Sequence, residues 1–135
     1  MENTEFSKLL LRIAFASTVV DGEIDNREID IIRNLQKEDF YLKEFDLNDE
    51  LDQIQRDASQ NPSDYSNNIL KQTYNLDLTP SQKLIMINLA IAVVRADNVM
   101  QEQEIVFIKN LILNLQIPDS IVDATNGNWW IISDK

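Results

Sequence analysis

The chain contains no cysteine and no histidine, and each absence excludes a group of sites. Without cysteine there are no disulfides, no thiol nucleophiles and no thiolate metal sites, which fits a reducing compartment. Without histidine, zinc and copper lose their usual nitrogen ligands, so a metal held by this chain needs oxygen donors. The composition therefore leaves open only hard cations such as Ca²⁺, Mg²⁺ or Mn²⁺.

Glycine and proline are also scarce, with two and three residues in the chain of 135. Turn-rich all-β folds need more such residues, so this composition favours helices. The chain is long enough to bury a hydrophobic core without disulfides or metal staples. We therefore predict an all-α fold, a single-domain helical bundle of about six or seven helices over residues 1–135.

Basic residues are outnumbered: 12 Lys and Arg stand against 23 Asp and Glu, a formal charge of -11. Nucleic acid and anionic lipid are therefore poor partners. Residues 1–7 have no basic cluster of the secretory type, and the longest apolar run, residues 84–94, is far shorter than the roughly 20 residues of a membrane span. We expect a soluble cytoplasmic protein with no direct membrane insertion.

Two stretches of the chain resemble each other at a shift of 76 positions. The shift aligns Asp21 with Asp97 and Glu28 with Glu104. It also aligns apolar and small residues, namely Ala14 with Ala90, Ala16 with Ala92, Ile29 with Ile105, Ile32 with Ile108 and Leu35 with Leu111. The pattern predicts an internal pseudo-twofold repeat of a helix-turn-helix unit, over about residues 4–37 and 79–116.

Apolar spacing and cap signals predict the helices. In the first repeat, residues 4–20 form a mostly buried helix, Asp21-Gly22 ends it, and Asp25 with Glu28 starts the next as a capping box. In the second repeat, Thr79, Pro80 and Gln82 start a helix whose residues 84–94 should be the most buried element. The last long helix should end before Ile117-Pro118.

Two connector helices are predicted at about residues 46–75. Their apolar stripes are Leu47, Leu51, Ile54 and Ala58, then, after a start at Asn61-Pro62, Tyr65, Ile69 and Tyr74. The acids on the first connector are Asp46, Asp49, Glu50, Asp52 and Asp57. They form a solvated face or, alternatively, a docking surface for a basic partner.

The tail, residues 117–135, is predicted to have a short helix at about 118–124. Trp129-Trp130 pack on their own domain or form a dimer or partner contact.

The acidic turns resemble part of an EF-hand loop, with Asp21, Gly22 and Glu28 at the fifth, sixth and twelfth positions. The first and third positions then fall inside predicted helices, on Ser17 and Val19 in the first repeat and Val93 and Arg95 in the second. An ordinary EF-hand site is therefore excluded.

The four repeated acids could still share one cation. If the repeats bring their turns together, Asp21, Glu28, Asp97 and Glu104 offer four carboxylates to Ca, Mg or Mn, with Asp25, Gln101 or water completing the shell. The alternative is structural, because Glu28 and Glu104 can cap helices, and Asp21 and Asp97 can bond their own turns. The residues alone leave both interpretations open.

The pattern Ala-x-x-x-x-Asp-Gly-x-Ile-x-x-x-Glu-Ile at residues 16–29, with its second copy at residues 92–105, resembles the TerB-like superfamily. That group includes tellurite-resistance TerB proteins and the amino-terminal region of a membrane-anchored J-domain co-chaperone. The resemblance covers residues 9–117 and implies an all-helical fold with internal pseudo-symmetry and a divalent-cation site, here Asp21, Glu28, Asp97 and Glu104. The second copy departs at Asn98, where a glycine is expected, and lacks an extra acid at residues 99–101.

The resemblance implies a cytoplasmic stress-response module of the tellurite-resistance type that binds a divalent cation and acts as a scaffold for a protein partner. The alternative is a metal-free protein interaction module of the co-chaperone type. An enzyme is not expected, because the chain has no histidine base, no cysteine nucleophile and no glycine-rich phosphate loop. Metal-assisted hydrolysis on the four acids is the one conceivable chemistry.

Overall fold

The computed structural model describes residues 3–20, 29–34, 47–74, 76–95, 101–118 and 120–122. Every regular element within these ranges is helical. The five helices with defined bounds are α1 (Asn3–Thr18), α2 (Leu47–Gln60), α3 (Pro62–Gln72), α4 (Pro80–Arg95) and α5 (Glu102–Leu115). Residues 29–34 and 120–122 are also helical. The predicted all-α fold of six or seven helices is confirmed.

Helix α1 is the centre of the hydrophobic core. It contacts each of the other four bounded helices. Its largest side chains, including Phe6, Leu10 and Phe15, are fully buried. The longest helices of the described ranges have 16 residues, and none there is both long and apolar enough to cross a membrane.

The prediction that residues 84–94 would be the most buried element is wrong. Helix α4 leaves Leu84 and Ile85 partly exposed and Ala92 exposed, whereas α1 is buried along most of its length. The reason lies in the packing: α4 packs mainly against α1 and α5, but α1 is surrounded by four helices. Four neighbouring helices leave α1 only a narrow solvent-facing stripe, formed by Glu5, Lys8 and Arg12.

The predicted start of α4 and the predicted end of α5 are confirmed. The Thr79 amide donates to Gln82 Oε1 at 3.0 Å, and the Gln82 amide donates to Thr79 Oγ1 at 3.1 Å, which is a reciprocal capping box. Helix α5 ends at Leu115, and Gln116 adopts the left-handed conformation with φ 58°. Pro118 follows shortly after, as is typical beyond a helix end.

The start of α3 is confirmed in position but not in detail. Asn61 is the N-cap residue and Pro62 opens the helix. However, the Asn61 side-chain amide donates to Asp64 Oδ2 at 2.7 Å rather than accepting from the helix backbone. The prediction that Tyr74 lies on the buried stripe is wrong, because Tyr74 is 61% exposed. Helix α3 ends at Gln72, so Tyr74 falls in the turn beyond the helix.

Polar side chains also connect the helices. Ser66 on α3 donates its buried hydroxyl to the carbonyl oxygen of Ala16 on α1, at 2.7 Å. Asn114 on α5 donates its amide to the carbonyl oxygen of Leu70 on α3, at 2.9 Å. The Ala16 carbonyl lies in the last turn of α1, where intrahelical partners run out, whereas the Leu70 carbonyl also accepts from the Thr73 amide at 3.1 Å and the Thr73 hydroxyl at 2.6 Å. Helix α3 is thereby joined to both α1 and α5.

The helix bounds are compatible with the predicted repeat. A shift of 76 positions moves α1 onto residues 79–94, one position from the bounds of α4. The same shift moves the helical residues 29–34 onto 105–110, inside α5. The repeat itself stays a prediction, because its corners, residues 21–28 and 96–100, lie outside the described residues.

Tyr65 joins α3 to the core through an aromatic contact. Its ring meets that of Phe15 edge-on, with the centroids 6.0 Å apart and an interplanar angle of 87°. Its buried hydroxyl has no hydrogen-bond partner among the described residues. Burial raises the pKa of Tyr65 well above its ordinary value; Asp57 and Glu50 act in the same direction, and Arg12 opposes them. The folded protein therefore keeps this hydroxyl protonated in alkaline solution.

We expect the Tyr65→Phe variant to gain stability relative to the wild type as the solution becomes alkaline. Above about pH 10 the unfolded tyrosine ionises while the folded one stays neutral, so unfolding releases a proton. The free energy of unfolding of the wild type then falls by up to about 1.4 kcal/mol per pH unit, a loss that Tyr65→Phe does not share because it has no hydroxyl at this position. Melting temperatures measured at about pH 8 and about pH 11 should show the gap between the two proteins widening. A gap of equal size at both values would contradict the prediction.

Candidate functional site

Of the four acids predicted as cation ligands, Glu104 is the one that the structure describes. It is the third residue of α5 and is 9% exposed. Its Oε1 atom accepts a hydrogen bond from the Gln101 amide at 2.8 Å. This bond satisfies an otherwise free amide at the helix start, and the negative charge lies at the positive end of the helix dipole. The capping role that the sequence suggested for Glu104 is therefore confirmed.

The other three predicted ligands, Asp21, Glu28 and Asp97, lie outside the described residues. Within the described ranges, no three acidic side chains come close enough to hold a metal ion together. The prediction of a cation site formed by all four acids stays a prediction.

The residues at the first and third EF-hand positions lie in or beside helices. Ser17 belongs to α1, where its hydroxyl donates to the carbonyl oxygen of Ala14 at 2.7 Å. Val93 and Arg95 belong to α4. Val19 was expected inside a helix, but it follows the last residue of α1 by one position. Because an EF-hand needs these positions in its loop, the geometry supports the exclusion of that site.

A cavity of about 480 Å³ lies between α3 and α5, close to the end of α1. We call it the corner cavity; the residues that line it include Val20, Ser66, Asn67, Glu102, Gln103 and Val106. Val20 directly precedes Asp21 in the sequence, and Glu102 and Gln103 belong to the first turn of α5, next to Glu104. The structure thus brings the end of α1 close to the start of α5.

The polar part of the corner cavity consists of side chains with oxygen atoms. Asn67, Glu102 and Gln103 are exposed, whereas the Ser66 hydroxyl is already donated to α1. Carboxylate and amide oxygens are the ligands that Ca²⁺ and Mg²⁺ prefer. Val106, which is 50% exposed, adds an apolar surface. Sequence spacing could not predict this group of residues, because they come from different helices. The one sign of it in the sequence was Val106, an apolar residue on the polar side of α5.

These features define a class of protein: an all-helical bundle with a buried acid at the start of a helix that borders a polar cavity. Within that class, the chain belongs to the TerB family, because the family model for tellurite resistance protein TerB matches residues 7–126. The matched range includes all four predicted acids and nearly all of the described helical residues. Comparison with curated proteins and with solved structures gave no match.

Proposed function

We propose that this chain is a cytoplasmic stress-response module of the tellurite-resistance type that binds a divalent cation and acts as a scaffold for a protein partner. Membership of the TerB family supports the stress-response role. The lack of cysteine and histidine supports a hard cation held by oxygen. In this proposal the chain is not an enzyme, because it has no histidine base, no cysteine nucleophile and no glycine-rich phosphate loop.

The observation that carries the cation proposal is the corner cavity. Val20, the neighbour of Asp21, and the first turn of α5, which contains Glu104, border the same space. If the predicted pseudo-twofold axis relates the two turns, residues 21–28 and 96–100, the acids of both repeats can meet in this cavity. The proposed ligands are the four repeated acids, Asp21, Glu28, Asp97 and Glu104.

The proposed mechanism is a stabilised arrangement of the helices rather than a reaction. Four carboxylates close together repel one another, and a bound divalent ion offsets that repulsion. Because the ion binds only the folded arrangement, it stabilises the fold by mass action. In this mechanism the surface that the protein partner contacts is ordered when the cation is bound.

A melting-temperature experiment tests this proposal. Ca²⁺, Mg²⁺ and Mn²⁺ are added separately at millimolar concentrations, and unfolding is followed by circular dichroism. An ion at about 100 times its dissociation constant stabilises by about 2.7 kcal/mol, which raises the melting temperature of a domain of this size by about 5–10 °C. We expect a shift of this order for at least one of the three ions.

Variants separate the cation site from the helix cap. Glu104→Gln keeps an oxygen that can accept from the Gln101 amide but removes the charge, so the fold should persist while the ion-dependent shift is lost. Asp97→Asn should lose the shift as well. The matched control is Asp49→Asn, at an exposed acid in the first turn of α2, which should keep the shift. Equal shifts in the wild type and in Glu104→Gln would contradict the proposed site.

The alternative is a metal-free protein interaction module. Two observations favour it: Glu104 already has a structural role as a helix cap, and α5 exposes two apolar side chains, Val106 at 50% and Leu113 at 72%. If none of the three ions shifts the melting temperature and Asp97→Asn is harmless, this alternative replaces the cation proposal.

A homodimer or partner contact through Trp129 and Trp130 is part of either proposal, and both residues lie outside the described ranges. Sedimentation of a Trp129→Ala, Trp130→Ala double variant tests the dimer. If the wild type sediments as a dimer and the variant as a monomer, the contact is supported; identical sedimentation would contradict it.

A further inference from the structure

A second cavity, of about 540 Å³, lies where α1, α2 and α3 meet. We call it the tyrosine cavity; its wall includes Arg12, Asp57, Asn61, Asp64, Tyr65 and Ile69. It shares no lining residue with the corner cavity. Helix α3 contributes to both cavities, but with different residues, so the two sites are separate.

The one cation on the wall of the tyrosine cavity, within the described part of the chain, is already paired. Arg12 Nη2 donates to Glu50 Oε1 at 3.1 Å, which joins α1 to α2. An anionic ligand would have to compete with Glu50 for this guanidinium. The wall therefore offers little attraction to a carboxylate or a phosphate.

The two carboxylates of the tyrosine cavity, by contrast, have only neutral partners among the described residues. Asp57 Oδ1 accepts from the Gln53 amide at 3.0 Å, and Asp64 Oδ2 accepts from the Asn61 amide at 2.7 Å. Neither acid forms an ion pair within the described ranges. Two unpaired negative charges on one concave wall favour a cation.

Tyr65 adds an observation that is independent of the acids. Its side chain is 8% exposed, and its hydroxyl has no hydrogen-bond partner in the part of the chain that the structure describes. A buried hydroxyl without a partner is unfavourable, and a ligand that bonds to it removes that cost. The neutral phenol oxygen can accept a hydrogen bond from a positively charged donor.

We propose that the tyrosine cavity binds the primary ammonium group of an alkylamine, through Asp57, Asp64 and the Tyr65 hydroxyl. A primary ammonium has three donors, one for each of these groups. The buried side chain of Ile69 contributes an apolar wall for the attached methylene chain. A lysine side chain of a partner protein and a free polyamine both present this group.

Isothermal titration calorimetry with cadaverine, a diamine with a primary ammonium at each end, tests the proposal at low ionic strength, where charge attraction is least screened. We expect one binding site per chain. Asp57→Asn combined with Asp64→Asn should weaken binding at least about tenfold, because a hydrogen bond to a charged group commonly accounts for such a factor. Tyr65→Phe should weaken binding by about fivefold to tenfold without lowering the melting temperature, since the ring remains.

A matched control distinguishes a specific site from general attraction to an acidic protein. Asp49→Asn combined with Asp52→Asn removes the same charge from exposed positions that do not line the tyrosine cavity. Its affinity for cadaverine should stay within about twofold of the wild type. A loss in the control as large as that in the Asp57, Asp64 variant, undiminished binding to Tyr65→Phe, or no measurable heat would overturn the proposal.

Other ligands identify the chemistry and its source. Tetramethylammonium has the same charge but no hydrogen-bond donor; competition as strong as that of cadaverine would overturn the proposal. Spermidine and a short lysine-containing peptide separate the two sources, since the tighter binder indicates a polyamine or a protein partner. Glu104→Gln should leave cadaverine binding unchanged, so failure of the divalent-cation proposal would be seen separately.

Discussion

Replacing Leu111 with alanine is expected to lower the free energy of unfolding by about 3 kcal/mol, whereas the same replacement at Leu113 should change it by less than about 0.5 kcal/mol. The two leucines are two positions apart in α5. Leu111 is fully buried, and Leu113 is 72% exposed. Removing the Leu111 side chain loses its transfer free energy and leaves a cavity, while Leu113 has little contact to lose.

Urea unfolding at equilibrium measures both values, and each variant is the control for the other. The alanine propensity for helix is the same in both, so it does not affect the comparison. Equal losses would contradict the orientation of α5. This orientation matters for function, because the face that carries Leu113 also carries Val106 of the corner cavity. A loss above about 1 kcal/mol at Leu113 would mean that this face is covered in solution.

Replacing Phe15 with alanine is expected to cost about 4 kcal/mol, a loss comparable to the whole stability of a marginal domain. Phe15 is fully buried in the last turn of α1 and meets the Tyr65 ring edge-on. Its removal opens a large cavity beside the helix that contacts the other four bounded helices. Phe15→Leu, which keeps most of the volume, should lose only about 1–1.5 kcal/mol in the same urea measurement.

A double-mutant cycle with Tyr65→Ala isolates the contact between the two rings. Aromatic pairs of this geometry contribute about 0.5–1.5 kcal/mol beyond their buried area, so the losses should be non-additive by about that amount. Strict additivity would contradict the edge-on contact. A loss below about 1 kcal/mol for Phe15→Ala alone would contradict the central position of α1.

Local rules account for the features of the fold that were predicted correctly. The capping box of Thr79 and Gln82 and the end of α5 before Pro118 were predicted because a cap involves residues within about four positions of each other. The same reasoning anticipated the capping role of Glu104. These interactions form wherever the helix forms, whatever packs against it.

Among the wrong predictions, the burial of residues 84–94 depends on how the helices pack, whereas the results for Asn61 and Tyr74 depend on local structure. Residues 84–94 are more uniformly apolar than α1, yet α1 is the more buried helix because four others surround it. Asn61 was predicted to cap α3, but its amide bonds Asp64 instead, a choice between two local partners that spacing does not decide. The exposure of Tyr74 follows from where α3 ends.

Both cavities lay beyond sequence reasoning for the same cause. The corner cavity brings Val20 beside Glu102, and the tyrosine cavity brings Arg12 beside Tyr65. The two residues of each pair are far apart in the sequence, so helical periodicity gives no indication that they meet. The family resemblance identified the acids, and the described part of the chain adds a cavity lined by sequence neighbours of Asp21 and Glu104.

The amino-acid sequence by itself determined the helical class, the ends of several helices and the restriction to oxygen-donor metal chemistry, because these depend on composition and on contacts between near neighbours in the chain. The tertiary structure decided which helix is central, which leucine of α5 is buried and which polar side chains share a cavity. Those properties arise from the packing of segments far apart in sequence, where burial and juxtaposition are set by the whole fold rather than by local spacing.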